Sequence, residues 1–392
     1  MKPLRIVLVM IEPPLPFGNA VGRWYYILLK SLAERGHQVA AFATCKNRDE
    51  AGAARGLFPA PQYSLRCYEV PRRRHLGSKL AFLRRPHSNL FSPELRRDLA
   101  AELRRPFDVL QLESLWSGWL GLAHSGRALV NVHYLFQIDR ADERTPSLPD
   151  RVRMLRTNQA EDYLLRRYPI IVALTPRLRD HIRERVPTAE IHTVPLGLDL
   201  SRYSFEPSGV QDKPVVTLIG SYNWLPSYSA GKRLLERLWP RIHERFPGAD
   251  LQIVGRQALA AFGEYAQQPH IRIHENVPDT LPYFRDASVL VYAPGRGSGM
   301  KVKVLESFAL GLPVVTTEEG VEGIPAVDGV HAGIANDDGG LIERTVALLD
   351  NEPARRAQSR QARTLIEEHC SPEVTLDGLE QVYRRVIERR GA

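Results

Sequence analysis

The stretch with the clearest chemical potential is GRGSGMKVKVLESFALGLPVVTT, residues 295–317. Its closely spaced glycines follow an apolar run typical of a buried strand, and a helix is predicted to begin near Met300. The first backbone N–H groups of a helix have no partner within it, so they can bind an anion that approaches over the loop. Lys301 or Lys303 would add a full positive charge beside them. The segment therefore predicts a binding site for phosphate groups.

Glu306 indicates which phosphate-bearing ligand would bind here. Helical periodicity places Val302, Leu305 and Phe308 on a buried face and leaves Lys303 and Glu306 adjacent at its boundary. A carboxylate repels phosphate, but it can accept hydrogen bonds from the vicinal hydroxyls of a ribose. The combination favours a nucleoside diphosphate with its phosphates on the loop and its ribose on Glu306. An ordinary solvated ion pair between Lys303 and Glu306 explains the same spacing, and both interpretations stay open at this point.

The elements that must position these residues have the pattern of an α/β protein. Short apolar runs alternate with amphipathic stretches, which predicts parallel, doubly wound sheets. The predicted strands are LRIVLVM, QVAAFAT, DVLQLE, ALVNVH, PIIVALT and EIHTVPL in the first half, and VVTLIG, DLQIVG, IRIHE, SVLVYA and PVVTT in the second.

A polar, proline-bearing segment interrupts this alternation and marks a domain boundary. We predict an N-terminal Rossmann-like domain over residues 1–196, a linker over 197–213, a second Rossmann-like domain over 214–370 and a closing helix over 371–392 that could pack on the N-terminal domain. Two such domains facing each other would form a cleft at the carboxyl ends of their strands, where open α/β sheets bind ligands.

Composition describes an ordinary globular protein. The chain is 43% hydrophobic and 25% charged. Its 392 residues suffice for two hydrophobic cores. The sequence contains no run of twenty apolar residues that could cross a bilayer. Cys45, Cys67 and Cys370 are widely spaced and lack the pairing of a disulfide framework or a zinc site. We therefore expect a reducing, cytoplasmic environment and no bound metal.

The net charge of +8 is concentrated in residues 71–105. Such a basic segment is explained by a solvated surface or by contact with an anionic membrane, and both interpretations stay open. Nucleic acid is not an expected partner, because Phe82 and Phe91 alone do not provide the interleaved aromatic residues of a strand binder.

Three motifs, of which the first contains the glycine-rich segment, connect the chain with a known family. The stretch GSGMKVKVLESFALGLPVVTTEEGVEG resembles the donor-site signature of the retaining glycosyltransferases of family 4, or group 1, which have the two-domain GT-B architecture. EPPLPFGNAVGRWYYILLKSLAERGHQV resembles their amino-terminal motif, and LVNVHYL resembles the strand whose terminal His faces the donor sugar. The chain departs from the common pattern at Ser298, where a first Glu is usual, and in GSYNWLPSYSAGK, which lacks a diphosphate-binding Arg.

The resemblance implies roles for individual residues. His133, Lys303 and Glu306 would be the catalytic residues. The residues implied in binding the donor are Gly18, Asn19, Gly220, Arg256, Val277, Ser298, Gly299, Met300, Lys301 and Val302.

The implied reaction is the transfer of a hexosyl-type sugar from a nucleoside diphosphate to a hydroxyl acceptor with retention, in cell-surface polysaccharide or glycolipid biosynthesis. It requires neither cofactor nor metal, because lysines and a helix N-terminus stabilise the leaving diphosphate. The expected partners are a nucleotide sugar, a glycan or lipid-linked glycan, and an anionic membrane at residues 71–105. Two alternatives stay open: a GT-B protein that binds nucleotide sugars without catalysis, and a nucleotide-sugar epimerase using His133 and Glu113.

Overall fold

The computed structural model describes residues 2–71, 84–141, 147–207 and 213–391. These residues form two compact units. The first contains the described residues of Met1–Gln137, Ala141–Gly197 and Pro372–Ala392, and the second contains those of Ile138–Arg140 and Leu198–Ser371. Apart from the short stretch Ile138–Arg140, the chain therefore leaves the first unit after Gly197 and returns to it for its final helix.

The first unit is built around a parallel sheet of seven strands. The strands are β1 Arg5–Met10, β2 Gln38–Cys45, β3 Ser64–Glu69, β4 Val109–Glu113, β5 Ala128–Val132, β6 Ile170–Ala173 and β7 Glu190–Thr193. Their spatial order is β3-β2-β1-β4-β5-β6-β7. The order reverses between β1 and β4, which are in register at Met10 and Glu113. We call this position the first switch point, and an open parallel sheet leaves a crevice for ligands there.

Several helices of the first unit begin where the sequence supplies a cap. Asn19, Ser92 and Thr175 each accept a hydrogen bond from a backbone N–H of the first helical turn. The helices are α1 Ala20–Glu34, α2 Arg48–Leu57, α3 Pro93–Glu102, α4 Gly118–Gly121, α5 Phe136–Asp139, α6 Leu148–Leu165, α7 Pro176–Arg185 and the C-terminal helix Pro372–Gly391. The last two residues of α5 belong to the second unit.

The C-terminal helix is part of the core of the first unit. Leu376, Leu379 and Tyr383 are fully buried, and the Tyr383 hydroxyl donates a hydrogen bond to Gln111 on β4. At the surface, Arg35 at the end of α1 forms an ion pair of 2.6 Å with Asp377. Because the helix buries apolar side chains here, its removal would expose part of this core to water.

The second unit repeats the same architecture with six parallel strands. The strands are β8 Val215–Ser221, β9 Asp250–Arg256, β10 Ile271–Glu275, β11 Val289–Tyr292, β12 Val314–Thr316 and β13 Gly333–Ile334. Their order is β10-β9-β8-β11-β12-β13, so the reversal that we call the second switch point lies between β8 and β11. The helices are α8 Leu225–Arg233 with a π-helical turn at Leu234–Leu238, α9 Trp239–Arg245, α10 Ala258–Phe262, α11 Leu281–Arg285, α12 Val302–Leu310, α13 Asp338–Asp350 and α14 Glu352–His369.

The predicted α/β class with two doubly wound parallel sheets is confirmed. Two edge strands, β3 and β13, are absent from the predicted set. β3 has the half-buried sequence SLRCYE, which is neither clearly apolar nor clearly alternating, and β13 is only two residues long. The segment predicted as a linker, 197–213, contains the buried Tyr203 and a short helical turn at Leu200–Arg202. Among the described residues, no helix has the length and apolarity needed to cross a membrane.

A pair of glycines permits β8 and β9 to approach each other at their carboxyl ends. Gly220 and Gly255 are register partners, and Gly255 has a φ of +134°. A Cβ atom at Gly255 would lie 1.9 Å from the carbonyl oxygen of Gly220, which is far inside van der Waals contact. Only glycine combines this backbone conformation with this approach.

We expect Gly255→Ala to destabilise the second unit by more than about 2 kcal/mol, because the new methyl group meets backbone and the φ angle is strained. Guanidinium unfolding followed by tryptophan fluorescence measures the change. Gly248→Ala is the matched control, since no heavy atom lies within 4 Å of a Cβ there. Equal denaturation midpoints for Gly255→Ala and Gly248→Ala would contradict the requirement for glycine at position 255.

Candidate functional site

The amine of Lys303 lies at the second switch point. Lys303 belongs to the first turn of α12, and its Nζ donates a hydrogen bond of 2.9 Å to Ser227 Oγ on α8. The same atom lies 3.9 Å from the ring centroid of Tyr292, the last residue of β11. On the other side, a Cβ atom at Gly220 would come within 3.1 Å of Nζ, so a glycine leaves room for the amine. The predicted donor-binding residue Gly220 and the predicted catalytic residue Lys303 are therefore close together.

The environment of Lys303 disfavours its charged form. Burial and the nearby positive charge of Lys301 lower the pKa of Lys303 to about 7, and the negative charge of Glu306 acts in the opposite direction. Near neutral pH both the charged and the uncharged form of the amine are therefore populated. A bound anion would favour the charged form.

Glu306 is buried. Its carboxylate accepts a hydrogen bond from Tyr203, whereas the Lys303 amine donates to Ser227. The Tyr203 hydroxyl donates a hydrogen bond of 2.8 Å to Glu306 Oε1. Every residue of α12 from Val304 to Leu310 is buried, whereas Val302 is only half-buried. The prediction that Glu306 lies at the boundary of a buried helix face is therefore wrong, because α12 is covered on nearly all sides.

The loop before α12 is held by hydrogen bonds to its own backbone and to α5. The backbone N–H and the hydroxyl of Ser298 both donate to Asp139 Oδ1, at 2.5 and 2.6 Å. Lys301 Nζ donates to the carbonyl oxygens of Ser298 and Gly299, and Gly299 has a φ of +78°. Met300 is buried, and the helix begins two residues later than predicted. Lys301 thus stabilises the loop that precedes the helix N-terminus.

Arg256 and Val277 lie at or beyond the carboxyl ends of β9 and β10. The side chain of Arg256 is exposed, and Val277 is half-buried in the turn that follows β10. This turn is fixed by a hydrogen bond of 3.0 Å from the Asn276 N–H to the Gly255 carbonyl oxygen. Both predicted residues therefore lie at the same edge of the sheet as Gly220, one and two strands away.

In the first unit, a buried carboxylate holds His133. Glu113 Oε2 lies 3.1 Å from His133 Nε2 and 3.0 Å from the donor Trp24 Nε1. Gln111 and Asn131 also donate to the carboxylate, at 2.5 Å and at 3.2–3.3 Å. Burial alone would raise the pKa of Glu113, but the hydrogen bonds from His133, Gln111 and Trp24 outweigh it and lower the pKa. An ionised Glu113 accepts from Nε2 and so fixes the orientation of the imidazole.

Gly18 and Asn19 lie in the loop between β1 and α1. Gly18 is exposed with a φ of +84°, and a Cβ atom there would meet nothing within 4 Å. The Asn19 side chain accepts a hydrogen bond of 2.7 Å from the Gly22 N–H as the cap of α1. Asn19 therefore stabilises the start of a helix that follows β1, one of the two strands at the first switch point.

Sequence reasoning missed the groups that position Lys303 and Glu306. Ser227, Tyr292 and Tyr203 are distant in sequence from α12, and no local pattern connects them with it. The sequence does contain a pattern that indicates the hydrogen-bonded cluster around Glu113. Polar residues occupy alternate positions of two otherwise apolar strands, at Gln111 and Glu113 and again at Asn131 and His133, and a buried polar residue needs a hydrogen-bonding partner.

We expect Glu113→Gln to destabilise the protein by about 2–4 kcal/mol at pH 7, because an amide group would place a donor among four donors. The lowered pKa of Glu113 means that its carboxylate stabilises the fold above about pH 4.3 and that this contribution is lost as the pH falls through the folded-state value. The difference between wild type and variant should therefore shrink on acidification. Thermal unfolding from pH 7 to pH 3 measures it, with the exposed Glu184→Gln as control; a pH-independent difference would contradict the ionised state.

Comparisons with known proteins agree with this architecture. The sequence profile of Glycosyltransferase Family 4 matches residues 21–202, and that of Glycosyl transferases group 1 matches residues 213–351. Sucrose-phosphate synthase from Thermosynechococcus elongatus has a similar structure, with a TM-score of 0.73, 14% identity and coverage of 98% of this chain and 99% of that chain. Anabaena HepE gives a TM-score of 0.68, 12% identity and coverage of 97% and 99%. A search of curated proteins found no match.

The fold is that of a GT-B glycosyltransferase. The two profiles match different parts of the chain, one in each half, and together they cover most of it. The protein belongs to glycosyltransferase family 4, group 1, and the family assignment made from its motifs is confirmed. At identities of 12–14% the structural similarity establishes the fold and leaves the substrates to the chemistry of the sites.

Proposed function

We propose that this glycosyltransferase moves a sugar from a nucleoside diphosphate to a hydroxyl acceptor with retention of the anomeric configuration. The observation that carries the proposal is the Lys303 amine at the second switch point, one residue after the start of α12. This arrangement places a lysine amine and a helix N-terminus at the position where open parallel sheets bind ligands.

The chemistry follows from charge. The diphosphate would lie against the N-terminus of α12 and Lys303, and the ribose would donate hydrogen bonds to Glu306. As the bond from the anomeric carbon to the diphosphate breaks, negative charge grows on the departing phosphate, and a preorganised cation stabilises it. The acceptor oxygen bonds to the anomeric carbon on the same face, and its proton passes to the departing phosphate oxygen. Lys303 and the helix N-terminus would serve where other transferases use a metal ion.

His133 would bind the transferred sugar. Its imidazole is oriented by the buried Glu113 carboxylate, so a polar edge can be presented without free rotation of the ring. The loop that contains Gly18 would contact the donor through its backbone, since this glycine has no Cβ and its surroundings are open.

Related structures support a nucleoside diphosphate as donor. Anabaena HepE was crystallised with UDP and with UDP-glucose. A variant of S. aureus TarM was crystallised with UDP and alpha-GlcNAc-glycerol, and its structure has a TM-score of 0.62 and 11% identity to this chain. These ligands belong to those proteins, and they motivate the choice of diphosphates for a first experiment.

We expect one of UDP, GDP, ADP and dTDP to raise the melting temperature, because a ligand that binds only the folded state stabilises it. Glu306→Gln keeps an oxygen for Tyr203 but removes the charge and one acceptor, so it should weaken binding by about tenfold or more. Thermal-shift titration measures both effects. The exposed Glu264→Gln, in the same unit, is the control and should bind like wild type.

Absence of stabilisation by all four nucleotides in a folded protein would overturn the proposed donor site. Incubation with the sugar nucleotide of the stabilising base then distinguishes the classes of activity. A transferase forms a glycoside whose anomeric configuration is visible by NMR, an epimerase inverts a sugar centre, and a binding protein leaves the sugar nucleotide unchanged.

The acceptor side of the proposal concerns the basic segment 71–105, of which residues 72–83 lie outside the described residues. Arg96 donates to the carbonyl oxygens of Phe91 and Ser88, so its charge has a structural role, and Phe91 is buried. Arg84 and Arg104 are exposed. We propose that they contact anionic lipid at the inner face of a membrane while a lipid-linked or growing glycan is extended.

We expect the double variant Arg84→Gln with Arg104→Gln to bind anionic vesicles about tenfold less tightly or worse, since each basic residue near such a surface contributes about 1 kcal/mol. Co-sedimentation with phosphatidylglycerol-containing liposomes measures binding, and high salt should weaken it. The charge-matched control is the double variant Arg183→Gln with Arg384→Gln, because both residues are exposed elsewhere on the first unit. No binding by wild type at low salt, or equal loss in both double variants, would contradict the proposal.

A further inference from the structure

The surroundings of the Lys303 amine are more specific than a phosphate-binding lysine requires. A lysine on the first turn of a helix could extend into solvent, but here the side chain is drawn back against β11 and α8. The Ser227 hydroxyl accepts a hydrogen bond of 2.9 Å from the amine. The ring of Tyr292 lies beneath the same amine at 3.9 Å, within the distance of a cation–π contact.

We propose that Ser227 and Tyr292 are positioning residues that hold the Lys303 amine at the second switch point, and that a nucleoside diphosphate binds there together with one proton. The inference rests on the proposed function, because it assigns the protonation of the same donor site. The proton is taken from solvent and forms the third N–H bond of the ammonium group, so no other reactant is needed.

The groups that face Lys303 explain why the amine is poised to gain a proton. From β8 it meets Gly220, from α8 the hydroxyl of Ser227, and from β11 the neutral phenol of Tyr292. On its own helix and the residue before it, Glu306 and Lys301 act with opposite signs. Burial raises the pKa of Tyr292, and Asp139 and Glu319 raise it further, so this ring stays neutral.

Burial is the largest cause of the low pKa of Lys303, about 7, and a bound diphosphate would oppose it by adding negative charge. The bound complex holds the proton to a higher pH than the free protein does, so binding is tightest below about pH 7 and weakens as the pH rises. Tyr292 and Ser227 both favour the charged amine, through the ring face and the hydroxyl oxygen.

The experiment is isothermal titration calorimetry of the full chain with UDP, GDP, ADP and dTDP between pH 7 and pH 9, in two buffers of different ionisation enthalpy. For the nucleotide that binds, we expect Kd to be constant at low pH and then to rise about tenfold per pH unit. We call the pH at which this rise begins the break. At pH 8 binding should take up close to one proton. Lys303→Gln should bind weakly with a flatter profile. The ionisation of the nucleotide itself is common to all variants and cancels in the comparison.

The positioning residues are tested by a matched pair. Tyr292→Leu removes the ring and should move the break to lower pH and weaken binding at pH 8 at least threefold, whereas Tyr292→Phe keeps the ring and should retain the break near that of wild type. Ser227→Ala, which removes only a hydroxyl, should also move the break to lower pH. A merely structural role would lower the melting temperature without moving the break.

The possible failures are distinguishable. If none of the four nucleotides binds wild type at any pH, the proposed function fails and this inference fails with it. If a nucleotide binds wild type without proton uptake, or if the break is the same in Tyr292→Leu, Ser227→Ala and wild type, the inference alone is overturned.

Discussion

Both candidate sites depend on one topological constraint, the reversal of strand order in a parallel sheet. Neighbouring strands on either side of the reversal send their following loops to opposite faces, which opens a crevice at their carboxyl ends. In the first unit this position is occupied by Glu113, and in the second by the amine of Lys303 beside Tyr292. Side chains that reach these crevices lie at the edge of a rigid sheet, and this rigidity holds a reacting group in place.

The two sites treat a charged group differently: Glu113 is fully buried, and Lys303 is half-buried. Glu113 is surrounded by donors from Trp24, Gln111, Asn131 and His133, so its charged form is favoured despite burial. Lys303 has one hydroxyl and one ring face, which do not compensate for the loss of water. The first arrangement lowers the pKa of Glu113 and so favours the ionised form of a group that orients its neighbours. The second gives a group whose charge would depend on an anion bound next to it.

The candidate sites are stabilised by contacts between distant parts of the chain. Tyr203, in the segment between the two halves, bonds to Glu306 across 103 positions, and Ser227 bonds to Lys303 across 76. In the first unit, Tyr383 of the C-terminal helix donates to Gln111, which in turn donates to Glu113. The C-terminal helix therefore supports the group that orients His133, although it lies at the far end of the sequence.

The sequence by itself determined most of the elements, and it predicted a class of ligand. Apolar runs bounded by glycine and proline predict most strands, and the glycine-rich segment before α12 predicts an anion at a helix N-terminus, because these are local properties of a few consecutive residues. Only the tertiary structure decided that Glu306 is buried beneath Tyr203, that Lys303 turns toward Ser227 and Tyr292, and that Lys301 instead binds the carbonyl oxygens of its own loop. Spacing along a helix states which residues share a face. What covers that face, and hence which form of a lysine is stable there, depends on strands and helices that the chain supplies many residues away.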